Sequence, residues 1–193
     1  MVKRIDEAVE NESITDRPAA WTEHVTLGPP FLEKGATEFR ASVTRTLVVA
    51  DGNGELQRFT DVPSSGGFST YLTDPARPKA NFVAWSPGSQ VALGYAWRSA
   101  DFPWLGVWEE NLSRQGAPWN GRTLTRGMEF GASPVAETRR QMIDRGSLFD
   151  IPGFRWFPAR TRVTVRYCAA IQGDVQKCPA GLSWTDGDEV GFE

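Results

Sequence analysis

Two residues in this sequence have the right chemistry to move protons. His24, the only histidine, lies in Trp21-Thr22-Glu23-His24, and imidazole is the side chain that exchanges protons near neutrality. Glu129 lies in Arg126-Gly127-Met128-Glu129-Phe130-Gly131, a carboxylate among apolar and glycine neighbours, where it can serve as a general base. Each also has an ordinary reading when taken singly. A lone histidine is more often structural than catalytic, and Arg126 or Arg122 could simply pair with Glu129.

Other chemistries find less support. One histidine leaves too few nitrogen ligands for a catalytic zinc, and no metal site is expected. Cys168 and Cys178 lack metal-ligand spacing and read as reduced structural thiols. Ser64-Ser65-Gly66-Gly67 has neither the lysine nor the strand-to-helix context of a phosphate-cradling loop, and no nucleophile elbow accompanies the histidine. A formal net charge of -3 at pH 7 lacks the basic field of non-specific nucleic-acid binding. Arg139, Arg140 and Arg145 read as solvated surface. Met1 is not followed by an apolar leader and no apolar run is long enough to span a bilayer. A cytoplasmic protein with no nucleic-acid or membrane partner is therefore expected. The eight tryptophans gather between Trp85 and Trp119 and again at Trp156. Each alone reads as core, while the group offers flat faces suited to the apolar sides of sugar rings.

Positioning these residues requires a folded frame, and the composition supplies one. Hydrophobic residues at 40% and charged residues at 23% of a 193-residue chain are typical of a single globular domain. Alternating apolar and polar residues predict strands over 2–10, 20–27, 37–50, 68–72, 81–85, 90–97, 104–109, 123–130, 154–157 and 161–171. Turn residues at 11–13, 16–18, 28–30, 51–54, 74–78, 86–89 and 116–121 separate them. Only residues 135–146 look helical, started by Pro134 and ended by Gly146. The pattern predicts an all-β, mostly antiparallel sandwich over residues 1–171, with an irregular tail over 172–193. A strand starting at the second residue suggests a chain that begins inside a fold, and the exposed edges this leaves favour a homodimer.

Three segments, in order and approximate spacing, resemble landmarks of the aldose 1-epimerase, or galactose mutarotase-like, family: Trp21-Thr22-Glu23-His24, residues 102–111 and Gly127-Met128-Glu129-Phe130-Gly131. The resemblance covers about residues 11–171. It implies a β-supersandwich that interconverts the anomers of a free sugar without a cofactor. His24 would protonate the ring oxygen and Glu129 would take the proton of the anomeric hydroxyl. The resemblance further suggests that Trp21 and Trp108 wall the sugar and that Asn120 and Arg126 bind its hydroxyls. Core packing of Trp108 and an ion pair of Arg126 with Glu109 or Glu110 are the alternatives. The ligand implied is an aldose, with a phosphorylated or acidic sugar compatible with the arginine. Family domains are longer, with strands preceding the position of Val2 and a longer stretch between residues 50 and 68, so a domain truncated on its N-terminal side is expected. Two further readings stand beside the enzyme: a non-catalytic carbohydrate-binding module of the same fold, and a glycosidase pairing Glu129 with Glu109 or Glu110.

Overall fold

In a computed structural model, residues 1–46 and 55–193 are described. The first part of the chain forms β1 (Val2–Glu10), β2 (Arg17–Ala19), β3 (Thr22–Leu27), β4 (Glu38–Ala41), β5 (Val43–Thr46) and β6 (Glu55–Leu56). Longer strands follow: β7 (Ser65–Thr73), β8 (Lys79–Ser86), β9 (Val91–Arg98), β10 (Trp104–Asn111) and β11 (Leu124–Gly131). Helix α1 (Arg139–Arg145) leads to β12 (Ser147–Leu148), β13 (Ile151–Pro152) and β14 (Arg155–Phe157), and the chain ends with β15 (Arg162–Gln172), β16 (Leu182–Trp184) and β17 (Val190–Phe192). A six-stranded sheet in the order β1-β15-β9-β8-β4-β6 packs against a five-stranded sheet in the order β3-β11-β10-β7-β5. All their pairings are antiparallel.

The core between the sheets follows from alternation. Side chains on successive strand residues point to opposite faces, so β11 turns Arg126, Met128 and Phe130 inward, where all three are buried. Phe130 stacks on Trp97 of the facing sheet with centroids 4.4 Å apart and planes 10° apart. Phe102 and Tyr167 meet its ring edge-on. Arg126 lies over the Phe39 ring at 4.2 Å, pairs with Glu109 and donates from Nη1 to the Gln57 carbonyl at 2.6 Å. Burial lowers the affinity of this guanidinium for its proton, and the Glu109 carboxylate opposes that shift.

Four sequence expectations are corrected. Residues 172–193 are not an irregular tail: β16 and β17 form a hairpin that lays Leu182 and Trp184 over Val83, Ala96, Cys168 and Ala170 on the outer face of the six-stranded sheet. A few scattered buried side chains in a turn-rich stretch gave too little pattern to reveal it. Cys168 and Cys178 are both buried in this second cluster as thiols, and burial pushes the Cys168 thiol above its ordinary range. Residues 37–46, the described part of the strand expected over 37–50, do not make one strand. The chain leaves the six-stranded sheet after Ala41 and enters the five-stranded one at Val43, because Ser42 exchanges hydrogen bonds with the backbone of Asn81 and accepts from that of Asp74. The turn expected at 51–54 lies outside the described residues. Arg17 and Pro18, expected in a turn, pair with Phe157 and Trp156 in a short ladder. Finally, α1 starts later than Pro134. A capping box in which Thr138 and Gln141 satisfy each other's backbone N–H sets its start, and Gly146, at φ +67°, closes it by donating to the Met142 carbonyl.

One end of the core carries an acidic cluster. The Tyr167 hydroxyl lies 2.7 Å from Glu7 Oε1 and 3.3 Å from Glu23 Oε2. Burial, and then the neighbouring Glu7 carboxyl, push Glu23 above the usual carboxylate range, against partial opposition from the Trp21 and Tyr167 hydrogen bonds. A carboxyl that binds its proton more tightly in the folded state makes stability fall as pH rises from the unfolded-state pKa through the folded one. Glu23→Gln, which removes this titration and keeps the hydrogen-bonding shape, is expected to melt at a higher temperature than the natural protein at pH 7. The difference should shrink below about pH 4, where an unfolded-state glutamate is also protonated. Thermal melts followed by circular dichroism across that range check the sign.

Candidate active site on the outer face of the five-stranded sheet

The alternation that buries Phe130 turns Gly127, Glu129 and Gly131 outward. β3 runs beside β11 with His24 directly opposite Glu129, and Gly28 with the following prolines ends the strand a few residues on. The two side chains meet: His24 Nε2 lies 2.9 Å from Glu129 Oε1, with 44% of the imidazole and 18% of the carboxylate side chain accessible. The other ring nitrogen, Nδ1, lies 3.0 Å from Thr26 Oγ1. In the tautomer that protonates Nε2, the Thr26 hydroxyl donates to Nδ1 and the Nε2 proton points at Glu129. In the imidazolium Nδ1 donates to the Thr26 hydroxyl instead, so this contact holds the ring's orientation in either protonation state.

Glycine makes the close approach feasible. A Cβ on Gly127 would lie 2.9 Å from His24 Cε1 and 3.2 Å from Glu129 Oε1, both tighter than van der Waals contact. Beside it, a Cβ on Gly106 would lie 2.7 Å from the tip of Phe68, so the Phe68 ring lies across Gly106, which is itself paired with Glu129. The His24–Glu129 pair thus lies over Gly127, and the Phe68 ring over Gly106, on an accessible sheet face.

Aromatic side chains border the pair. Trp108, paired with Gly127 on one side and Phe68 on the other, has its ring centroid 6.2 Å from that of His24. Arg114 lies between two indoles, 5.2 Å from the Trp108 centroid and 4.7 Å from that of Trp119. The 112–121 loop that carries Arg114 and Trp119 is anchored by Glu110. This buried carboxylate accepts from the backbone N–H groups of Ser113 and Arg114 and from the Ser113 hydroxyl. Burial alone would raise Glu110, but these hydrogen bonds outweigh it and hold the carboxyl below its usual range.

Of the six residues singled out in the sequence, His24, Glu129 and Trp108 come together. Arg126 does not. It is buried on the opposite face of β11, in the ion pair with Glu109 that was its alternative reading. Trp21 also turns away, donating from Nε1 to Glu23 at 2.8 Å and packing on Phe102 and Phe157. Asn120 sits exposed on the 112–121 loop at φ +49°, with its amide on the Pro118 carbonyl. Of the tryptophans between Trp85 and Trp119, Trp97 and Trp104 are fully buried and Trp85 donates to the Val175 carbonyl, so Trp108 is the one beside His24, with Trp119 linked to it through Arg114. Phe68, Arg114 and the two glycines escaped the sequence reading. Trp119 was visible only as one member of the tryptophan group.

No protein-family model matches the sequence, and no curated protein matches it. Solved structures do. A Klebsiella pneumoniae protein described as a candidate aldose 1-epimerase superposes with a TM-score of 0.65 at 12% identity, over 90% of this chain and 43% of that one. A galactose mutarotase-related enzyme from Lactobacillus acidophilus gives 0.57 at 13% identity, over 92% of this chain and 59% of that one. For a galactose mutarotase-like protein from Clostridium acetobutylicum the TM-score is 0.54 at 13% identity, over 88% and 52%. The chain therefore has the galactose mutarotase-like fold and spans about half the length of the proteins it matches.

The glycine at 127 leads to a direct test. Because His24 is the only histidine, its imidazole gives one unambiguous set of NMR signals. Gly127→Ala is expected to displace those signals by forcing the ring off its contact with Glu129. Gly67→Ala, whose added methyl meets nothing within 4 Å, should leave them in place.

Proposed function

We propose that this outer face opens and closes the hemiacetal of an aldose, with His24 as the acid and Glu129 as the base. The observation that carries the reading is the 2.9 Å approach of His24 Nε2 to Glu129 Oε1 on an accessible sheet face beside Trp108. A hemiacetal bears its ring oxygen and its hydroxyl on the same carbon, so the two oxygens are close neighbours. An adjacent donor and acceptor can address both at once, and the sugar takes up the hydrogen bond that the pair otherwise makes with itself.

The atoms balance as follows. Nε2 of the protonated imidazole gives its proton to the ring oxygen, leaving neutral imidazole, while Glu129 takes the proton of the anomeric hydroxyl. The carbon–ring oxygen bond breaks, and the hydroxyl oxygen becomes the carbonyl of the open chain. After rotation about the bond to the carbonyl carbon, the steps reverse: the ring hydroxyl returns its proton to the imidazole, its oxygen adds to the other face of the carbonyl, and Glu129 protonates the new anomeric oxygen. Trp108 offers an apolar face for the sugar ring, and Thr26 holds the imidazole ring in orientation, its hydroxyl accepting from Nδ1 while the ring is protonated and donating to it afterwards. The mutarotase-like fold of the solved relatives supports a sugar as the ligand.

Glycosidase chemistry fits the site less well. Glu109 is committed to Arg126 and Glu110 to the loop backbone, so neither carboxylate serves as the partner of Glu129 that such a reaction needs.

Polarimetry on freshly dissolved α-glucose and α-galactose, at pH 7, tests the proposal. The protein is expected to accelerate mutarotation of at least one of them. His24→Asn and Glu129→Gln should each lower that rate by about 10²-fold or more, the scale of a lost general acid or base. Sugar binding without acceleration would instead mark a binding module.

A further inference from the structure

A second cleft lies at the end of the sandwich, where the β7–β8 and β9–β10 connections meet residues 151–156. Its volume is about 790 Å³, within the range of small-molecule sites, and neither His24 nor Glu129 lines it. Its body is apolar: Leu72, Pro103, Ile151, Phe154 and Trp156 all contribute to the wall. Trp156 is 55% exposed and Phe154 holds it edge-on at 5.6 Å and 77°. A large indole left this open beside a cavity is a binding feature more than a packing one.

The rim is charged, with an excess of positive charge in an acidic chain. Arg77, Lys79, Arg98 and Arg155 face Asp101 and Asp186, four cations against two carboxylates. Arg155 is held by Asp101 at 3.2 Å and Arg77 by Asp74 at 3.4 Å. Lys79 bonds to Asp186 at 2.8 Å and to the Trp184 carbonyl at 2.9 Å. Arg98 differs: its carbonyl accepts from the backbone of Asp101 and Phe102, but among the described residues its guanidinium makes no hydrogen bond or ion pair and acts on Asp186 only through its charge. It also stands directly opposite Lys79 in the β8–β9 ladder, and like charges facing each other across strands are destabilising. Asp186, whose side chain is fully exposed, is the carboxylate that offsets them. An anion placed between Arg98 and Lys79 would relieve the repulsion and take up the unused donors of the guanidinium.

We propose that this cleft binds a small amphipathic organic anion, with an aromatic or other apolar body against Trp156 and Ile151 and a carboxylate, sulfonate or phosphate at Arg98. The site is separate from the His24–Glu129 pair, so the proposal stands or falls independently of the sugar chemistry.

The probe is 8-anilinonaphthalene-1-sulfonate, titrated into the full chain and followed by its fluorescence. N-phenyl-1-naphthylamine, its uncharged counterpart, serves as the comparison. Saturable one-site binding of the sulfonate is expected, weakened about tenfold by Arg98→Gln, the scale of one lost charge-assisted hydrogen bond. Trp156→Ala should weaken both probes, whereas Arg98→Gln should leave the uncharged one unaffected. Both side chains are exposed, and thermal melts verify that the variants fold. Absence of saturable binding, binding that survives both substitutions, or equal affinity for the charged and uncharged probes would overturn the proposal.

Discussion

The inward packing of β11 is the constraint on which everything else in this molecule depends. Phe130 is clamped between Trp97, Phe102 and Tyr167, and Arg126 is locked over Phe39 and onto Glu109. With both ends of the strand fixed inward, the intervening residues have no choice of face. A one-residue slip would carry Glu129 into the aromatic core and Phe130 into water, which makes the register of this strand energetically secure. The outward position of Glu129 is therefore a consequence of hydrophobic packing on the other side of the sheet.

The same logic explains why the site needs so few parts. His24 is delivered by an edge strand whose register against β11 is set by Val25 and Leu27 packing on the core side. Glycines at 106 and 127 make room for the Phe68 ring over one and the His24–Glu129 pair over the other, with Trp108 alongside. The 112–121 loop adds Arg114 and Trp119, and its anchor, Glu110, is buried beneath it. The proposed acid, base and apolar wall are thus carried by paired strands rather than by loops, an arrangement that holds side chains within narrow limits.

Much of this was legible in the sequence, and the failures are instructive. The strands around β8, β9, β10, β11 and β15 could be read from alternation and turn residues, and the β8–β9 hairpin from Ser86-Pro87-Gly88-Ser89. The meeting of His24 with Glu129 was not readable from either segment alone. It depends on a pairing between strands about a hundred residues apart, and only the resemblance to mutarotase-like landmarks brought the two together. Alternation itself could have excluded two of the proposed ligand contacts. Arg126 and Glu129 are an odd number of positions apart, as are Trp21 and His24, so on continuous extended chain each pair points to opposite faces. The terminal hairpin and the break at Ser42 were hidden for another reason: both are fixed by partners distant in sequence, Val83 and Ala96 in one case and Asn81 in the other.

A crystal structure of the unaltered protein grown with a saturating aldose tests the central claim most directly. The account predicts a sugar lying against Trp108, its ring oxygen and anomeric hydroxyl within hydrogen-bonding distance of His24 Nε2 and Glu129 Oε1. A sugar bound with its anomeric carbon turned away from both residues, or bound elsewhere with this sheet face empty, would contradict it.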